Sequence, residues 1–206
     1  MMYGTPHLIG IAGPSCSGKS ELSRHLAHRL SEMRPVILPL DAYYHDLSSL
    51  DPGVREKQNF DLPEALDLHL FEDHLRSLAA GVGIEKPVYD FSTHTRSSQQ
   101  ERIYPGGLVI VEGLFILYWK EIRDLLHTSV FVFLRDHRCL SRRIERDIRE
   151  RGRTREAVLA QYEDTVRPMN EHYVQPTKAF AQIVVNGEDP LDRSTAIIMD
   201  RMNLEI

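Results

Sequence analysis

The sequence predicts a doubly wound α/β domain built on a parallel sheet of about five strands with flanking helices. Short runs rich in Val, Ile and Leu, typical of buried parallel strands, alternate with stretches whose apolar residues follow helical spacing. The predicted strands are residues 7–12, 36–40, 108–112, 130–134 and 182–185. The predicted helices are residues 18–33, 63–79, 116–127, 137–151, 155–173 and 190–202. Ligands of such folds bind at the carboxyl ends of the strands.

Length and composition fit one globular domain and exclude several classes of protein. The chain has 206 residues and a net charge of −5, which argues against a general nucleic-acid-binding protein. No apolar run approaches the roughly 18 to 20 residues that span a bilayer, and no basic segment precedes an apolar stretch at the start. We therefore expect a cytoplasmic protein with no membrane partner. Cys16 and Cys139 are too few for a disulfide framework and lack metal-ligand spacing, so we expect reduced thiols.

Residues 43–104 interrupt the alternation of strands and helices. Turn signals at residues 51–53, 81–83 and 105–107 surround one predicted helix and two short extended pieces. No linker or repeat sets this segment apart, and its core would be too small to fold alone. We expect a single domain over residues 1–206, in which an insertion at about 43–104 forms a small lobe that faces the substrate.

Residues 13–20 read GPSCSGKS and match the phosphate-binding pattern G-x-x-x-x-G-K-[ST] between a predicted strand and a predicted helix. Backbone N–H groups of such a loop bind phosphate oxygens of ATP or GTP. Lys19 is expected over the β and γ phosphates, and the Ser20 hydroxyl on Mg²⁺. The predicted nucleotide-binding residues of the loop are Gly13, Pro14, Ser15, Cys16, Ser17, Gly18, Lys19 and Ser20. A plain glycine-rich turn is the alternative, and Cys16 is either a reactive thiol or a filler residue.

Two carboxylates follow predicted strands. Asp41 comes after the second strand, where a base that accepts a proton from an alcohol is expected, and its alternative role is a helix N-cap. Glu112 ends the third strand and is expected to support Mg²⁺ directly or through water, with a solvated strand end as the alternative. Both would lie at the same edge of the sheet as the phosphate-binding loop.

An arginine-rich segment follows the fourth strand. Nine of the 21 residues from Arg135 to Arg155 are arginine, against four acids. A lid over about residues 143–155 is the functional interpretation, because the planar guanidinium group contacts several phosphate oxygens. The functional candidates are Arg143, Arg146, Arg151 and Arg153. The alternative is a solvated helix face held by ion pairs, which we expect to account for Arg138, Arg142 and Arg149.

Six ordered motifs make the chain resemble the uridine kinase (uridine–cytidine kinase) family of P-loop kinases, from about Leu8 to Gly187. They are GPSCSGKS, DAYY at 41–44, NFDLPEA at 59–65, PVYDFSTHTR at 87–96, EG at 112–113, and SRRIERD at 141–147 with RGR at 151–153; QY at 161–162 and the stretch 167–178 also match. The resemblance implies a P-loop kinase fold. It also implies transfer of the γ-phosphoryl group of ATP or GTP to the 5′-hydroxyl of uridine or cytidine, with Mg²⁺.

The resemblance further implies a role for each matched side chain. Asp41, Lys19, Arg146 and Arg151 would be catalytic, with Asp41 accepting the 5′-hydroxyl proton. Asp61, Arg143 and Gln161 would bind the ribose hydroxyls. Tyr44 would wall the nucleoside pocket, Tyr89 and His94 would read the pyrimidine, and Phe91 would pack on it. Arg146, Arg151 and Arg153 would form the lid, and Ser20 and Glu112 would serve the metal. Members of the family are homo-oligomers, often tetramers.

The chain departs from the family motifs at four positions. Leu62 replaces a His, Ala42 a Ser and Tyr43 a Phe, which places the nucleoside preference in question. Gln182 replaces an Asp before the last strand, where we expect a change at the rim of the nucleotide site.

Three other functions compete with this interpretation. Another small-alcohol kinase, similar to phosphoribulokinase or pantothenate kinase, would have little use for Tyr89 and His94. A nucleotide-binding protein without phosphoryl transfer would need an element that switches between two states. An RNA-binding protein would need aromatic residues among the arginines.

Overall fold

The computed structural model describes residues 5–202 and confirms the predicted fold class. Its strands are β1 His7–Ala12, β2 Val36–Pro39, β3 Ile84–Asp90, β4 Thr95–Ile103, β5 Leu108–Gly113, β6 Thr128–Phe133 and β7 Ile183–Asn186. Its α-helices are α1 Lys19–Arg29, α2 Pro52–Arg55, α3 Leu68–Ala79, α4 Lys120–Arg123, α5 Asp136–Arg151, α6 Arg155–Gln161, α7 Arg167–Met169 and α8 Leu191–Met202. All five predicted strands form, within two residues of the predicted ends.

The main sheet has the strand order β2-β5-β1-β6-β7, and every neighbouring pair is parallel. The central strand β1 carries the phosphate-binding loop at its carboxyl end. Its neighbour β5 ends at Glu112 and Gly113, which pair with Ile11 and Ala12. The loop, the end of β5 and the turn after β2 therefore meet at one edge of the sheet.

Two apolar layers cover the sheet, because successive strand residues point to opposite faces. Leu108 and Ile110 of β5 pack on the face covered by α1 and α8, whereas Val109 and Val111 pack on the opposite face. The second face also buries Phe71 and other residues of α3 from the insertion. The insertion thus shares its core with the main sheet.

The inserted segment consists of α3 and an antiparallel pair, β3 and β4, which forms a second, two-stranded sheet. Asp67 caps α3 by accepting a hydrogen bond from the backbone N–H of Leu70. Arg96 of β4 donates to the carbonyl oxygens of Tyr43 and Tyr44 at 3.0 and 2.8 Å. The hairpin is thereby tied to the turn that follows β2.

Several predicted helices differ in the structure. The helices predicted at 18–33 and 63–79 are each divided into an α-helix and a short 3₁₀ turn, at Ser31–Met33 and at Pro63–Ala65. Only Lys120–Arg123 of the predicted helix 116–127 is α-helical, and the fully buried Ile116 and Leu117 lie in turns before it. The predicted helix 155–173 begins as α6 and continues in wider π-type turns at Tyr162–Val166 and Asn170–Val174. Within residues 5–202, no helix is both long and apolar enough to cross a bilayer.

Candidate active site

The phosphate-binding loop runs from the end of β1 to the start of α1. Gly13 has a φ of +148°, and a Cβ there would lie 2.4 Å from the carbonyl oxygen of Val132, so only glycine fits. Gly18, with a φ of +104°, directly precedes the eleven-residue helix α1. The loop therefore curls around the N-terminus of a helix, where backbone N–H groups favour anions.

Polar side chains link this loop to the neighbouring strand. Lys19 Nζ donates to the Pro14 carbonyl oxygen at 2.8 Å, and Ser20 Oγ donates to Glu112 Oε1 at 2.8 Å. Glu112 is only 9% exposed, so its alternative role as a solvated strand end is wrong. Burial, and then the nearby carboxylate of Asp41, raise the pKa of Glu112.

Ser20 and Glu112 provide the oxygen ligands that Mg²⁺ prefers. Within residues 5–202, no group of three or more His, Cys, Asp or Glu side chains could hold a metal ion. This donor set fits Mg²⁺, which takes one or two protein oxygens and completes its shell with phosphate oxygens and water.

Asp41 lies in the 3₁₀ turn Leu40–Tyr43, directly after β2. Pro39 occupies the N-cap position of that turn, so the alternative role of Asp41 as the N-cap is wrong. The carboxylate is accessible from the cavity, yet desolvation by the surrounding protein raises its pKa. Three cations oppose this effect: Lys19, Arg146 and Arg151. A basic carboxylate surrounded by cations suits the deprotonation of an alcohol beside phosphate groups.

Asp61, Arg143 and Gln161 form a polar wall next to Asp41. Desolvation raises the pKa of Asp61, and the Arg143 guanidinium opposes that effect. Arg143 donates to Ser15 Oγ at 3.2 Å and to Gln161 Oε1 at 3.1 Å. A carboxylate, a guanidinium and an amide are thus held together, which is a donor and acceptor set suited to vicinal hydroxyl groups.

Aromatic side chains build the opposite end of the site. Tyr44 contacts Tyr89 and Phe91, with ring centroids 5.4 and 6.5 Å apart. The Tyr89 hydroxyl is buried and has no hydrogen-bond partner within residues 5–202, and desolvation raises its pKa to about 12. Desolvation, and then Arg153, lower the pKa of His94, which favours a neutral imidazole. The pocket therefore offers a neutral Tyr hydroxyl and a neutral His to a ligand.

The arginines of the predicted lid line the same cavity, and two of them, Arg153 and Arg151, are near enough to His94 to add to the effect of desolvation in lowering its pKa. Helix α5 ends at Gly152, which has a φ of +61°. Arg153 Nη1 donates to Gln161 Oε1 at 2.5 Å, so the chain beyond α5 folds back toward α6.

One cavity of about 1670 Å³ joins these groups. Single ligand pockets usually measure about 300 to 1,000 Å³, so this cavity has room for a nucleotide and a second substrate. Its lining includes these predicted site residues: Ser15, Cys16, Gly18, Lys19, Ser20, Asp41, Tyr44, Asp61, Tyr89, Phe91, His94, Glu112, Arg143, Arg146, Arg151, Arg153 and Gln161. Gly13, Pro14 and Ser17 lie behind the lining and shape the loop.

Comparison with known families explains this combination of a phosphate-binding loop and an aromatic pocket. Residues 8–190 match the family model described as "Phosphoribulokinase / Uridine kinase family". The chain belongs to this family.

Curated members of the phosphoribulokinase/uridine kinase family align with most of the chain. The uridine kinase of Deinococcus deserti is 41% identical over 180 residues, which are 87% of each chain. The uridine kinase of Clostridium tetani is 41% identical over 184 residues, 89% of this chain and 88% of that protein. The uridine kinase of Vibrio cholerae is 41% identical over 182 residues, 86% of this chain and 85% of that protein.

Solved structures show the same fold at much lower identity. Phosphoribulokinase from Rhodobacter spheroides superposes with a TM-score of 0.66 at 17% identity, over 91% of this chain and 74% of that one. The D-glycerate 3-kinase of Cryptococcus neoformans superposes with a TM-score of 0.67 at 18% identity, over 90% and 88% of the two chains. These likenesses concern the fold of the family.

One arginine was wrongly expected on a solvated face. Arg142 donates to the Gly187 carbonyl oxygen at 3.0 Å and, at 3.4 to 3.5 Å, to the carbonyl oxygens of Ser17 and Cys16 in the loop. A Cβ on Gly187 would lie 2.1 Å from the Ser17 carbonyl oxygen, so this segment packs directly on the loop. Arg142 therefore connects α5, the end of β7 and the phosphate-binding loop.

The departures from the family motifs lie away from the cavity. Tyr43 is fully buried, and its hydroxyl hydrogen-bonds to His74 Nδ1 at 2.9 Å in the lobe. Leu62 and Ala42 do not line the cavity. The expected change at the nucleotide rim is wrong for Gln182, because its side chain accepts from the backbone N–H of Ser129 at the start of β6, which is the opposite edge of the sheet.

Sequence analysis missed Phe60 as a site residue. Its ring stacks on His94 with centroids 4.5 Å apart and 18° between the planes, and it lines the cavity. Tyr44 Oη also donates to the Phe60 carbonyl oxygen at 3.0 Å. The motif at 59–65 contains Phe60 beside Asp61 and was the signal that could have identified it.

Proposed function

We propose that the chain is a pyrimidine ribonucleoside kinase that transfers the γ-phosphoryl group of ATP or GTP to the 5′-hydroxyl of uridine or cytidine. The observation that carries the proposal is that one cavity joins the phosphate-binding loop and Asp41 to an aromatic wall that includes Tyr89 and His94. The Tyr89 hydroxyl is buried there without a hydrogen-bond partner within residues 5–202. Sequence identity of about 41% to curated uridine kinases supports the same substrate class.

The acceptor would bind between the aromatic residues and the polar wall. Its base would pack against Phe60 and Phe91, and its exocyclic groups would bond to Tyr89 and His94. Its ribose hydroxyls would bond to Asp61, Arg143 and Gln161. This placement directs the 5′-hydroxyl toward Asp41, which would accept its proton during transfer.

The donor would bind with its phosphates in the loop. Loop N–H groups and Lys19 would hold the β and γ phosphates, and the lid arginines Arg146, Arg151 and Arg153 would balance charge on the transferred group. Ser20 and Glu112 would hold Mg²⁺, which when bound neutralises charge on the phosphate oxygens. Closure of the lid would exclude water and so limit hydrolysis of the donor.

The protein is further proposed to act in the cytoplasm as a homo-oligomer, a tetramer by family resemblance. Exposed apolar side chains, such as Val88 in β3 and Tyr104 directly after β4, support association. The free thiols of Cys16 and Cys139 support a reducing compartment. Light scattering of the purified protein would give the number of subunits.

A substrate panel tests the proposed activity. Phosphoryl transfer from ATP and from GTP is measured with Mg²⁺ for uridine, cytidine, adenosine, deoxyuridine, ribulose 5-phosphate and pantothenate, with products identified by mass. We expect the 5′-monophosphate of uridine or cytidine. Phosphorylation of ribulose 5-phosphate or pantothenate in place of both pyrimidine nucleosides would reject the proposal in favour of another small-alcohol kinase.

A further inference from the structure

Asp147 is a fully buried carboxylate in the middle of the arginine-rich segment of α5. Its Oδ1 accepts from Arg146 Nε at 2.8 Å and lies 2.7 Å from Arg146 Nη2. Three further guanidinium groups lie at ion-pair distance from its two oxygens: Arg143 at 3.5 Å, Arg151 at 3.6 Å and Arg153 at 3.9 Å. One acid therefore faces four of the five lid arginines that line the cavity, and the fifth, Arg149, pairs with Glu150 instead.

The backbone of Asp147 holds the same segment. Its carbonyl oxygen accepts from the N–H of Gly152, where α5 ends, and from the N–H of Arg153 at 3.2 Å. The position of the chain beyond the helix thus depends on Asp147 through both its backbone and its side chain.

Four guanidinium groups in so small a space repel one another. Desolvation and the neighbouring Arg146 lower the pKa of Arg151, and Asp147 opposes both effects. A buried carboxylate that faces several cations offsets this repulsion. The same contacts offset the free-energy cost of removing the carboxylate from water.

The four arginines lie at different distances from the carboxylate of Asp147. Arg146 makes close hydrogen bonds, whereas the other three arginines stay beyond hydrogen-bond distance, and Asp147 Oδ2 has no hydrogen-bond partner within residues 5–202. The N–H groups of these three arginines are consequently not all engaged by the carboxylate. Arg151 and Arg153 therefore keep N–H groups that can bind phosphate oxygens, while the charge of Asp147 holds the arginines together.

We infer that Asp147 is a positioning residue that gathers Arg143, Arg146, Arg151 and Arg153 around one carboxylate. Arg146, Arg151 and Arg153 thereby meet the triphosphate of the donor, and Arg143 the ribose of the acceptor, in a fixed arrangement. The inference rests on the proposed function. Asp147 itself touches neither substrate and acts through the arginines.

A positioning role has a different signature from a purely structural one. Asp147→Asn removes one negative charge and so raises the net charge of the site by one. We therefore expect inorganic tripolyphosphate to bind about three- to tenfold more tightly. Phosphoryl transfer should fall by about 10- to 100-fold in kcat, because the arginines lose their arrangement. A residue that only stabilises the fold would weaken binding and turnover together.

The experiment measures tripolyphosphate binding by calorimetry and nucleoside phosphorylation by kcat and KM, for the full chain and three variants. Asp147→Glu keeps the charge and should bind tripolyphosphate within about threefold of the parent and regain part of kcat. Asp136→Asn is the matched control, because Asp136 also lies in α5 and pairs with Tyr162 and Arg167, away from the lid arginines. It should change neither quantity.

The outcomes separate the inference from the proposed function. Weaker tripolyphosphate binding by Asp147→Asn, or unchanged kcat, would overturn the inference. If Asp147→Asn is unfolded, refolding on addition of tripolyphosphate would support it, since the anion replaces the carboxylate, and failure to refold would overturn it. Tripolyphosphate binding is measured without nucleoside and does not depend on activity. An inactive parent protein would therefore reject the proposed function, while the difference in tripolyphosphate binding between the parent and Asp147→Asn would still decide the inference about Asp147.

Discussion

The donor and acceptor sides of the cavity are built in different ways. The centre of the donor side is one continuous stretch, residues 13–20, whose backbone conformation is set by glycines and by the start of α1, and to which the lid arginines and Glu112 add side chains. The acceptor side is assembled from side chains that are far apart in sequence, including Asp41, Phe60, Tyr89 and Gln161. Under the proposed function, backbone groups would bind any nucleoside triphosphate, whereas the assembled side chains would determine which alcohol is phosphorylated.

The largest expected effect separates chemistry from donor binding. Asp41→Asn removes the proposed base and keeps the size of the side chain, so turnover should fall by about 10²- to 10⁴-fold. Calorimetry should show that binding of Mg-ATP is retained, because the loop is unchanged. Turnover close to that of the parent protein would reject Asp41 as the base.

The second prediction concerns the Tyr89 hydroxyl on the acceptor side, which has no hydrogen-bond partner within residues 5–202. Tyr89→Phe should lower kcat/KM for the nucleoside by about 10- to 100-fold, because a buried group on the substrate would lose its partner. Thermal stability should not fall, since the Tyr89 hydroxyl has no partner within residues 5–202. KM for ATP serves as the internal control, and an equal loss for both substrates would contradict a base-reading role.

A smaller effect is expected on the donor side from Arg142, which supports the loop through carbonyl oxygens. Arg142→Gln should raise KM for ATP by about three- to tenfold with little change in KM for the nucleoside. Arg138→Gln is the matched control, because Arg138 lies one turn earlier in α5 and pairs with the exposed Glu188. Equal effects of the two variants would mean that Arg142 contributes only to a surface contact.

The difference between the two sides also explains what could be predicted from the sequence. The strands and the loop were predictable, because apolar runs and the glycine spacing are local signals. The hydrogen bonds of Arg142 were not, because its helical spacing placed it on a polar stripe and its acceptors are the carbonyl oxygens of distant segments. Phe60 was missed for a similar reason, since its contact with His94 joins the loop before α3 to the β3–β4 turn.

The family motifs related residues that local pattern could not. Residues 59–65 and 87–96 show little periodicity, and only their resemblance to the family motifs predicted that Asp61, Tyr89, Phe91 and His94 share one pocket, whose lining includes all four. The role of Asp147 was also hidden, because an acid among arginines is typical of a solvated helix with ion pairs. Its complete burial is a property of the folded chain.

The smallest expected effect is a shift in pH dependence that couples the two sides. The proposed base must be deprotonated, so kcat should fall as the pH drops through the pKa of Asp41, which the protein raises above its usual value. Arg151 holds that pKa down, so Arg151→Gln should raise it further and move the acidic limb of the kcat profile to higher pH. Arg149→Gln is the control, because Arg149 also lines the cavity but pairs with Glu150 and is not among the cations that lower the pKa of Asp41, so it should leave the limb in place. A limb that stays fixed, or moves to lower pH, in Arg151→Gln would show that a group other than Asp41 limits turnover in acid.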